Sequence, residues 1–186
     1  EGGIEKGEKI EYSGDHYVTP RMLDYDSKLI FVVTNNEDRL SGVKKLNQFT
    51  VMNTEVIFIN GPNNPYLAED TRALQMADFI MFDEIAISDL NEKQQSALYS
   101  WVQQGGTILL GADDFGTGAA GVFEDSLPLV LDDSETTIPA QDLTKFTRNG
   151  VFTADVNVSR ATLKDSGTNH IAVNNTLLVG QTGIGK

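Results

Sequence analysis

A strand–loop–helix–strand unit between Asp78 and Gly111 constrains the fold of this chain more than any other stretch. Residues 79–82 and 108–110 are apolar at every position, which is typical of strands covered on both faces of a parallel sheet. The segment 91–104 between them has the spacing of an amphipathic helix. A strand, a crossover helix and a second strand form a βαβ unit, which is right-handed by default. The unit carries no evident catalytic group, so it indicates architecture rather than activity.

The ends of the helix in this unit are marked by capping residues. Asn91 is a suitable N-cap, and Gln94 three residues later completes a capping-box pattern. Gly105 and Gly106 provide the left-handed stop at the other end. The apolar stripe of the helix consists of Ala97, Leu98, Trp101 and Val102. We therefore expect Trp101 to lie in the core rather than to form a ligand platform.

Two earlier apolar runs, 29–33 and 55–59, predict two more buried strands of the same sheet. Ser41 is a candidate cap for a helix between them, and residues 66–75 predict a short second helix. The inward positions of the first helix would be Val43, Leu46 and Phe49. Alternation of strands and helices along the chain indicates an α/β fold with a parallel sheet.

Both ends of the chain have a different texture. Residues 9–12 and 16–19 predict short edge strands, joined as a hairpin around residues 13–15. Near the other end, residues 132–137 are interpreted as an acidic loop. The β-type pieces that follow it are 150–158, 161–164, 170–173 and 176–179.

These patterns predict an α/β protein, a three-layer sandwich around a mainly parallel sheet with a β-rich C-terminal extension. The predicted units are an N-terminal arm of short strands over 1–28 and the α/β domain over 29–131. Residues 132–186 form either the β-rich extension or the closing strands of the same sheet.

Composition excludes some partners. The 186 residues are 40% hydrophobic, as in globular domains, and the net charge is -13 from 14 basic and 27 acidic residues. Such a surface repels phosphate backbones and anionic lipids, so we expect no nucleic-acid partner and no lipid adhesion. No apolar run reaches the length of about 20 residues that a membrane span needs. The chain has no cysteine, which fits an exported bacterial protein, although many cytosolic domains also lack it.

The phrase from Asp78 to Gly111 resembles the class I glutamine amidotransferase-like (flavodoxin-like) fold. The resemblance lies in the strand 78–82, the sequence Leu90-Asn-Glu-Lys-Gln94, the pair Trp101-Val102 and the Gly105-Gly106 step before the next strand. It covers roughly residues 29–131. In particular, it is similar to non-catalytic versions in exported or membrane-anchored bacterial proteins. The resemblance implies a binding or interaction role, with an extracellular location of this domain.

The amidotransferase catalytic groups are missing from this sequence. Enzymes of that family carry a nucleophilic cysteine after a core strand and a late His-x-Glu pair. Here the corresponding turn reads Gly111-Ala-Asp-Asp114, and neither His16 nor His170 begins such a pair. Because there is no thiol to activate, that mechanism is excluded, and no catalytic residue is assigned.

A ligand site is predicted where the parallel strands end, since ligands of open sheets bind outside the carboxyl ends of the strands. The candidate ligand-binding residues are Asn35, Asn60, Asp83 and Asp113. The carboxylates there suit Mg²⁺ or Ca²⁺, and no other cofactor is indicated. The candidate metal ligands are Asp83, Glu84, Asp113 and Asp114. The alternative is that these acids are solvated loop caps, because their spacing matches no fixed metal motif.

Three weaker motifs are interpreted as structural. Residues 116–121 match G-x-G-x-x-G but come late in the chain and follow aspartates, which would repel a pyrophosphate. Residues 180–186 match G-x-x-x-x-G-K without the following hydroxyl residue. Ser126, Asp165 and His170 could be drawn as a triad, but no G-x-S-x-G elbow is present.

Two functions from different classes remain. The first is a non-enzymatic interaction domain of an exported or cell-surface bacterial protein, with an unknown protein or cell-surface partner. The second is a protein that binds a small molecule or divalent cation at the carboxyl edge of the sheet, and it could be a hydrolase. A deep pocket at that edge would favour the second, whereas a shallow or filled edge would favour the first. The location is extracellular or membrane-anchored in the first interpretation, with a cytoplasmic alternative.

Overall fold

The computed structural model describes residues 4–5, 9–12, 16–17, 23–24, 26–40, 42–45, 53–59, 67–111, 118–146 and 151–184. Three short strands come first: β1 (Ile4–Glu5), β2 (Lys9–Tyr12) and β3 (His16–Tyr17). They form an antiparallel sheet of their own, in which Tyr12 pairs with His16. The predicted hairpin is therefore confirmed at its two strands, while its turn lies outside the described residues.

Four parallel strands form the centre of the protein. They are β4 (Lys28–Thr34), β5 (Thr54–Ile59), β6 (Phe79–Asp83) and β7 (Thr107–Leu110). Their order is β5-β4-β6-β7, and every neighbouring pair is parallel. The four apolar runs of the sequence thus form one parallel sheet, and the α/β prediction is confirmed at this level. Strands β4 and β6 are central, which explains why their residues are the most buried.

The helices follow the predicted order but differ in extent. α1 (Thr71–Leu74) is shorter than the predicted 66–75, and α2 (Glu92–Gln103) matches its prediction. Short 3-10 turns cover Val43–Lys45, Ile87–Asp89 and Gly121–Ser126. Of the helix predicted after Ser41, the described residues include only the first of these turns. Ser41, Leu46 and Phe49 lie outside the described residues.

The capping residues of α2 act as the sequence predicts. The Asn91 side chain accepts hydrogen bonds from the backbone N–H groups of Lys93 and Gln94, each at 3.0 Å. The Gln94 side chain accepts the Asn91 N–H at 3.1 Å and donates to the Leu67 carbonyl at 2.9 Å. The capping box therefore also fastens the helix to the segment before α1. Gly105 follows with φ +104°, a left-handed conformation in which glycine is unstrained.

One face of the sheet carries the main core. Alternate residues of β4 and β6 point to this face and pack with the apolar stripe of α2. The core includes Phe31, Val33, Ile80, Phe82, Leu98, Trp101 and Phe123. Trp101 is only 4% exposed, so its predicted position in the core is confirmed. On the opposite face Val32 is fully buried, whereas Phe79 and Leu109 are 42% and 50% exposed.

The C-terminal part is built from antiparallel strands and one helix. Its elements are β8 (Leu129–Ile138), α3 (Ala140–Phe146), β9 (Val156–Leu163), β10 (Thr168–Val173) and β11 (Thr176–Gln181). β8 pairs with β9, and β10 pairs with β11, so these strands do not extend the parallel sheet. A second small core joins Ile138 and Leu143 to Val173.

Several predictions for this part are wrong in detail. The supposed acidic loop 132–137 belongs to β8, where the register shifts between Leu131 and Glu135. The irregular pairing accommodates polar residues that periodicity alone assigned to a loop. The pieces 150–158 and 161–164 merge into one strand that begins at Val156, and α3 was missed. The predicted boundary between residues 131 and 132 falls inside β8, and the division into domains stays a prediction.

Asp78 joins two strands at the amino edge of the sheet. Its carboxylate accepts hydrogen bonds from Lys28 Nζ at 2.6 Å and from the Leu29 N–H at 2.9 Å. Burial opposes ionisation of this group, but these hydrogen bonds and the Lys28 charge outweigh burial and lower the pKa of Asp78. The ionised carboxylate thus stabilises the start of β4 against the segment that leads into β6.

Replacing Asp78 with asparagine is expected to lower the free energy of unfolding by about 1–2 kcal/mol near pH 7, since hydrogen bonds to a charged oxygen are lost or weakened. Because the pKa of Asp78 is lowered on folding, its contribution is fully present above the ordinary value of 3.8. It is lost as the pH falls below that value through the folded-state pKa. Urea denaturation at about pH 7 and about pH 2.5 should show the difference from wild type shrinking in acid. An equal difference at both pH values would contradict this assignment, and exposed Asp89→Asn is the matched control.

Candidate functional site

The central strands β4 and β6 end side by side at the carboxyl edge of the sheet. Thr34 and Asp83 are register partners on the last rung between them. From β4 the chain passes to β5 on one side, whereas from β6 it passes to β7 on the other. The connections therefore diverge above this rung, and this is the topological switch point where open α/β sheets bind ligands.

The floor of this crevice is a buried hydroxyl–carboxylate pair. Thr34 is fully buried, and its hydroxyl donates a hydrogen bond to Asp83 Oδ2 at 3.1 Å. The same hydroxyl oxygen accepts the Asn36 N–H at 3.0 Å, which turns the chain away from the strand. Asp83 is 8% exposed. Its carboxylate is held in place by the last rung of the sheet and by the Thr34 hydroxyl. The hydrogen bond from the Thr34 hydroxyl to one carboxylate oxygen lowers the cost of burying this polar pair.

Arg39 lies across the mouth of the crevice. Its Nη1 donates to Glu84 Oε1 at 2.6 Å, and its Nε is 3.9 Å from Asp83 Oδ1. These contacts join the loop after β4 to the loop after β6. The side chain of Arg39 is 40% exposed and that of Glu84 is 29% exposed, so solvent screens the pair. An ion pair of this exposure contributes about 0–1 kcal/mol, and it can open at low cost.

The backbone at Glu84 has an unusual conformation. Its φ is +56°, in the left-handed region that non-glycine residues seldom adopt. Such a conformation costs of the order of 1 kcal/mol and persists where the surrounding contacts hold it. Here the last rung of β6 lies directly before it, and the Arg39 ion pair holds its side chain. The conformation turns the Glu84 side chain towards the loop after β4.

The predicted ligand residues are only partly brought together. Asp83 and Glu84 lie in the crevice, and Asn35 is exposed beside Thr34 at the same edge. Asn60, Asp113 and Asp114 lie outside the described residues, so nothing is said of their positions. Within the described ranges, no group of three or more His, Asp or Glu side chains could hold a metal ion. The predicted Mg²⁺ or Ca²⁺ site stays a prediction, and Arg39 would compete for its two described carboxylates.

Local sequence patterns did not indicate two residues of the crevice, Thr34 and Arg39. Thr34 stands at the end of an apolar run, where a buried polar side chain implies a partner. Arg39 is the single basic residue in the otherwise neutral or acidic loop 35–40. The register that pairs Thr34 with Asp83 connects residues 49 positions apart, so no local pattern reveals it.

The weaker motifs do not assemble into a site in the described residues. Residues 118–120 form a turn and Gly121 opens a 3-10 turn, while the start of that match, 116–117, is not described. Gly180 lies near the end of β11, and the last two residues of its match are not described. Within the described ranges, no hydrogen bond joins Ser126, Asp165 and His170, and His170 is exposed on β10.

A separate shallow groove of about 360 Å³ lies on the helix layer. It is lined by Glu69, Thr71, Glu92, Lys93, Ser96, Ala97 and Ser100. Glu69 accepts a hydrogen bond from the Asn91 side chain at 2.9 Å at one end of this groove. None of Asn35, Asp83 and Glu84 lines the groove, so it is distinct from the crevice at the sheet edge.

Comparison with solved structures shows a similar fold in the cytoplasmic protein STM1381 from Salmonella typhimurium LT2. The two chains are 13% identical, the TM-score is 0.58, and the match covers 84% of this chain and 83% of that one. No protein-family model matches the sequence, and no curated protein matches it either. At this identity the likeness concerns the fold alone.

None of the described helices is both long enough and apolar enough to cross a bilayer.

Proposed function

We propose that this chain is a non-enzymatic binding domain that engages its partner at the carboxyl edge of the parallel sheet. One observation carries the proposal: Arg39 fills the mouth of the crevice and pairs with Glu84 at 2.6 Å. A crevice that a side chain of the chain itself occupies favours surface contact with a partner over enclosure of a small substrate. The strained Glu84 backbone and the buried Asp83 give this edge a defined shape, which is what a recognition surface needs.

We also propose that the domain is a non-catalytic member of the amidotransferase-like group, with helices on both faces of the sheet. The strand order β5-β4-β6-β7 and the Gly105-Gly106 step after α2 support this assignment. The sequence has no cysteine, so an amidotransferase nucleophile has no source in this chain.

The location proposed from this resemblance is extracellular, or anchored to a membrane with this domain outside. The cytoplasmic alternative draws support from the description of STM1381 as a cytoplasmic protein. Cell fractionation of the natural protein, followed by protease treatment of intact cells, separates the two: an external domain is digested and an internal one is protected.

The absence of cysteine allows a direct test of the binding edge. Asn35→Cys places one thiol at the exposed carboxyl edge, where it can carry a photo-crosslinker. Gln103→Cys places the same group at the end of α2, which lies at the opposite edge because the crossover helix runs antiparallel to the strands. Labelled protein would be irradiated in cells that produce the natural protein, and the adducts would be identified by mass spectrometry.

We expect discrete adducts from position 35 that are absent from position 103. Glu84→Gln, which removes one charge of the edge, should reduce the adducts from position 35. Equal adduct patterns from both positions would contradict the proposal. So would hydrolysis of a generic ester or phosphate by the purified chain that is lost in Asp83→Asn, because that result favours the enzyme alternative.

A further inference from the structure

We infer that the crevice between the loops after β4 and β6 binds a guanidinium or ammonium group of the partner, and that Arg39 occupies its place in the free protein. This inference rests on the proposed function and specifies the chemistry of the same edge. Its basis is a buried carboxylate with an incompletely used oxygen, beside a cation from the chain itself.

The Asp83 carboxylate has an oxygen that can accept a hydrogen bond from a ligand cation. Asp83 is 8% exposed, yet Thr34 satisfies only its Oδ2, at 3.1 Å. Within the described part of the chain, Oδ1 receives no hydrogen bond, and its one cationic neighbour is Arg39 Nε at 3.9 Å. That distance is too long for a hydrogen bond, whereas charge-assisted N–H···O bonds form at about 2.7–2.9 Å. A ligand cation that reaches Oδ1 would therefore gain a contact that Arg39 does not make.

The ion pair between Arg39 and Glu84 can be exchanged for a pair between Glu84 and a ligand cation. The guanidinium of Arg39 lies near both carboxylates, and of these two it is Glu84 that it contacts closely, at 2.6 Å. Both side chains are partly exposed, so the internal pair can be exchanged for an external one. A guanidinium presents several N–H groups in one plane, which lets it contact two carboxylates together. The Arg39 guanidinium thus shows the geometry that a ligand guanidinium would adopt, although it does not hydrogen-bond Asp83.

The net negative charge of the chain favours a cationic ligand. A net charge of -13 attracts cations to a crevice whose floor is a carboxylate. The same field repels anions, so Arg39 is not expected to serve as an anion receptor. The loop 35–40 contributes Glu37 and Asp38 close to the crevice in sequence, which adds to the attraction.

The test uses the tripeptide acetyl-Gly-Arg-Gly-amide as the probe, titrated into the full chain by calorimetry and NMR. Its control is the same peptide with citrulline, which keeps the shape of arginine but has no charge. We expect Arg39→Gln to bind the arginine peptide at least about tenfold more tightly than wild type, because the competing internal cation is gone. Arg72→Gln is the matched variant, since Arg72 also pairs with a carboxylate, Asp70, at 2.6 Å, but on an exposed surface. It should leave the affinity unchanged.

Adding Asp83→Asn to Arg39→Gln should cancel the gain, and added salt should weaken binding. If that double variant does not fold, adding Glu84→Gln to Arg39→Gln gives a second measurement. It should also weaken binding of the arginine peptide, because the ligand guanidinium loses one of its two carboxylates. Free arginine amide is titrated in parallel, to distinguish a small-molecule source of the cation from a side chain in a protein partner. For a protein partner, we expect the peptide to bind more tightly than the amide, because its flanking residues add contacts. Equal affinity of wild type and Arg39→Gln, or equal binding of the citrulline peptide, would overturn the inference. Crosslinking from position 35 would survive that result, so the two proposals fail separately.

Discussion

Replacing Phe82 with alanine is expected to lower the free energy of unfolding by about 3–5 kcal/mol, since it empties the centre of the main core. Phe82 is fully buried on the central strand β6 and packs in the cluster that contains Leu98 and Trp101. A whole domain is stable by only about 5–15 kcal/mol, so the variant should sit near the limit of folding. Urea denaturation followed by circular dichroism measures the change.

Phe79→Ala is the matched control, because it removes the same side chain from the same strand. Phe79 is 42% exposed on the opposite face of the sheet, so the expected loss is about 1 kcal/mol. Equal losses at the two positions would contradict the assignment of the main core to the α2 face of the sheet.

Replacing Gly106 with alanine is expected to cost about 2–3 kcal/mol through overpacking. A Cβ at this position would overlap the indole ring of Trp101, which is 4% exposed and cannot move outwards without opening the core. The Gly106 N–H also donates to the Trp101 carbonyl at 3.1 Å, which keeps the two residues together. Because Trp101 is the only tryptophan, its fluorescence should shift to longer wavelength as the ring is displaced.

Gly105→Ala separates steric overlap from backbone strain. Gly105 has φ +104° and open space around its Cα, so alanine there is strained but overlaps nothing. We expect a loss of about 1–2 kcal/mol with unchanged tryptophan fluorescence. If Gly106→Ala leaves the fluorescence unchanged, or if Gly105→Ala shifts it, the two glycines do not have the separate roles assigned to them.

At the carboxyl edge, sequence patterns predicted which residues follow the strands but not which side chains contact each other. The apolar runs predicted that Asn35 and Asp83 follow strands of one parallel sheet, and both lie at its carboxyl edge. The patterns did not predict that Thr34 would hydrogen-bond Asp83, or that Arg39 would cover both. Polar residues in loops have no period, so their partners follow from the fold rather than from spacing.

In the C-terminal part, sequence patterns did not predict the full extent of strand β8 or the presence of helix α3. Strand β8 contains a run of polar residues because its pairing with β9 is irregular between Leu131 and Glu135. Alternation of polar and apolar residues is lost in such a stretch, so it resembles a loop in sequence. Helix α3 is seven residues long, and only Leu143 is buried in it among the side chains described, which leaves little helical period to detect.

By itself the sequence determined the parallel sheet, the limits of α2 and the burial of Trp101, because apolar period and capping residues act within a few positions of the chain. Only the tertiary structure decided which charges meet at the sheet edge. Arg39 and Glu84 are 45 positions apart, and they come together because β4 and β6 are neighbours in one register. Contacts between strand ends depend on strand order and register, and these are properties of the packed sheet rather than of any local segment.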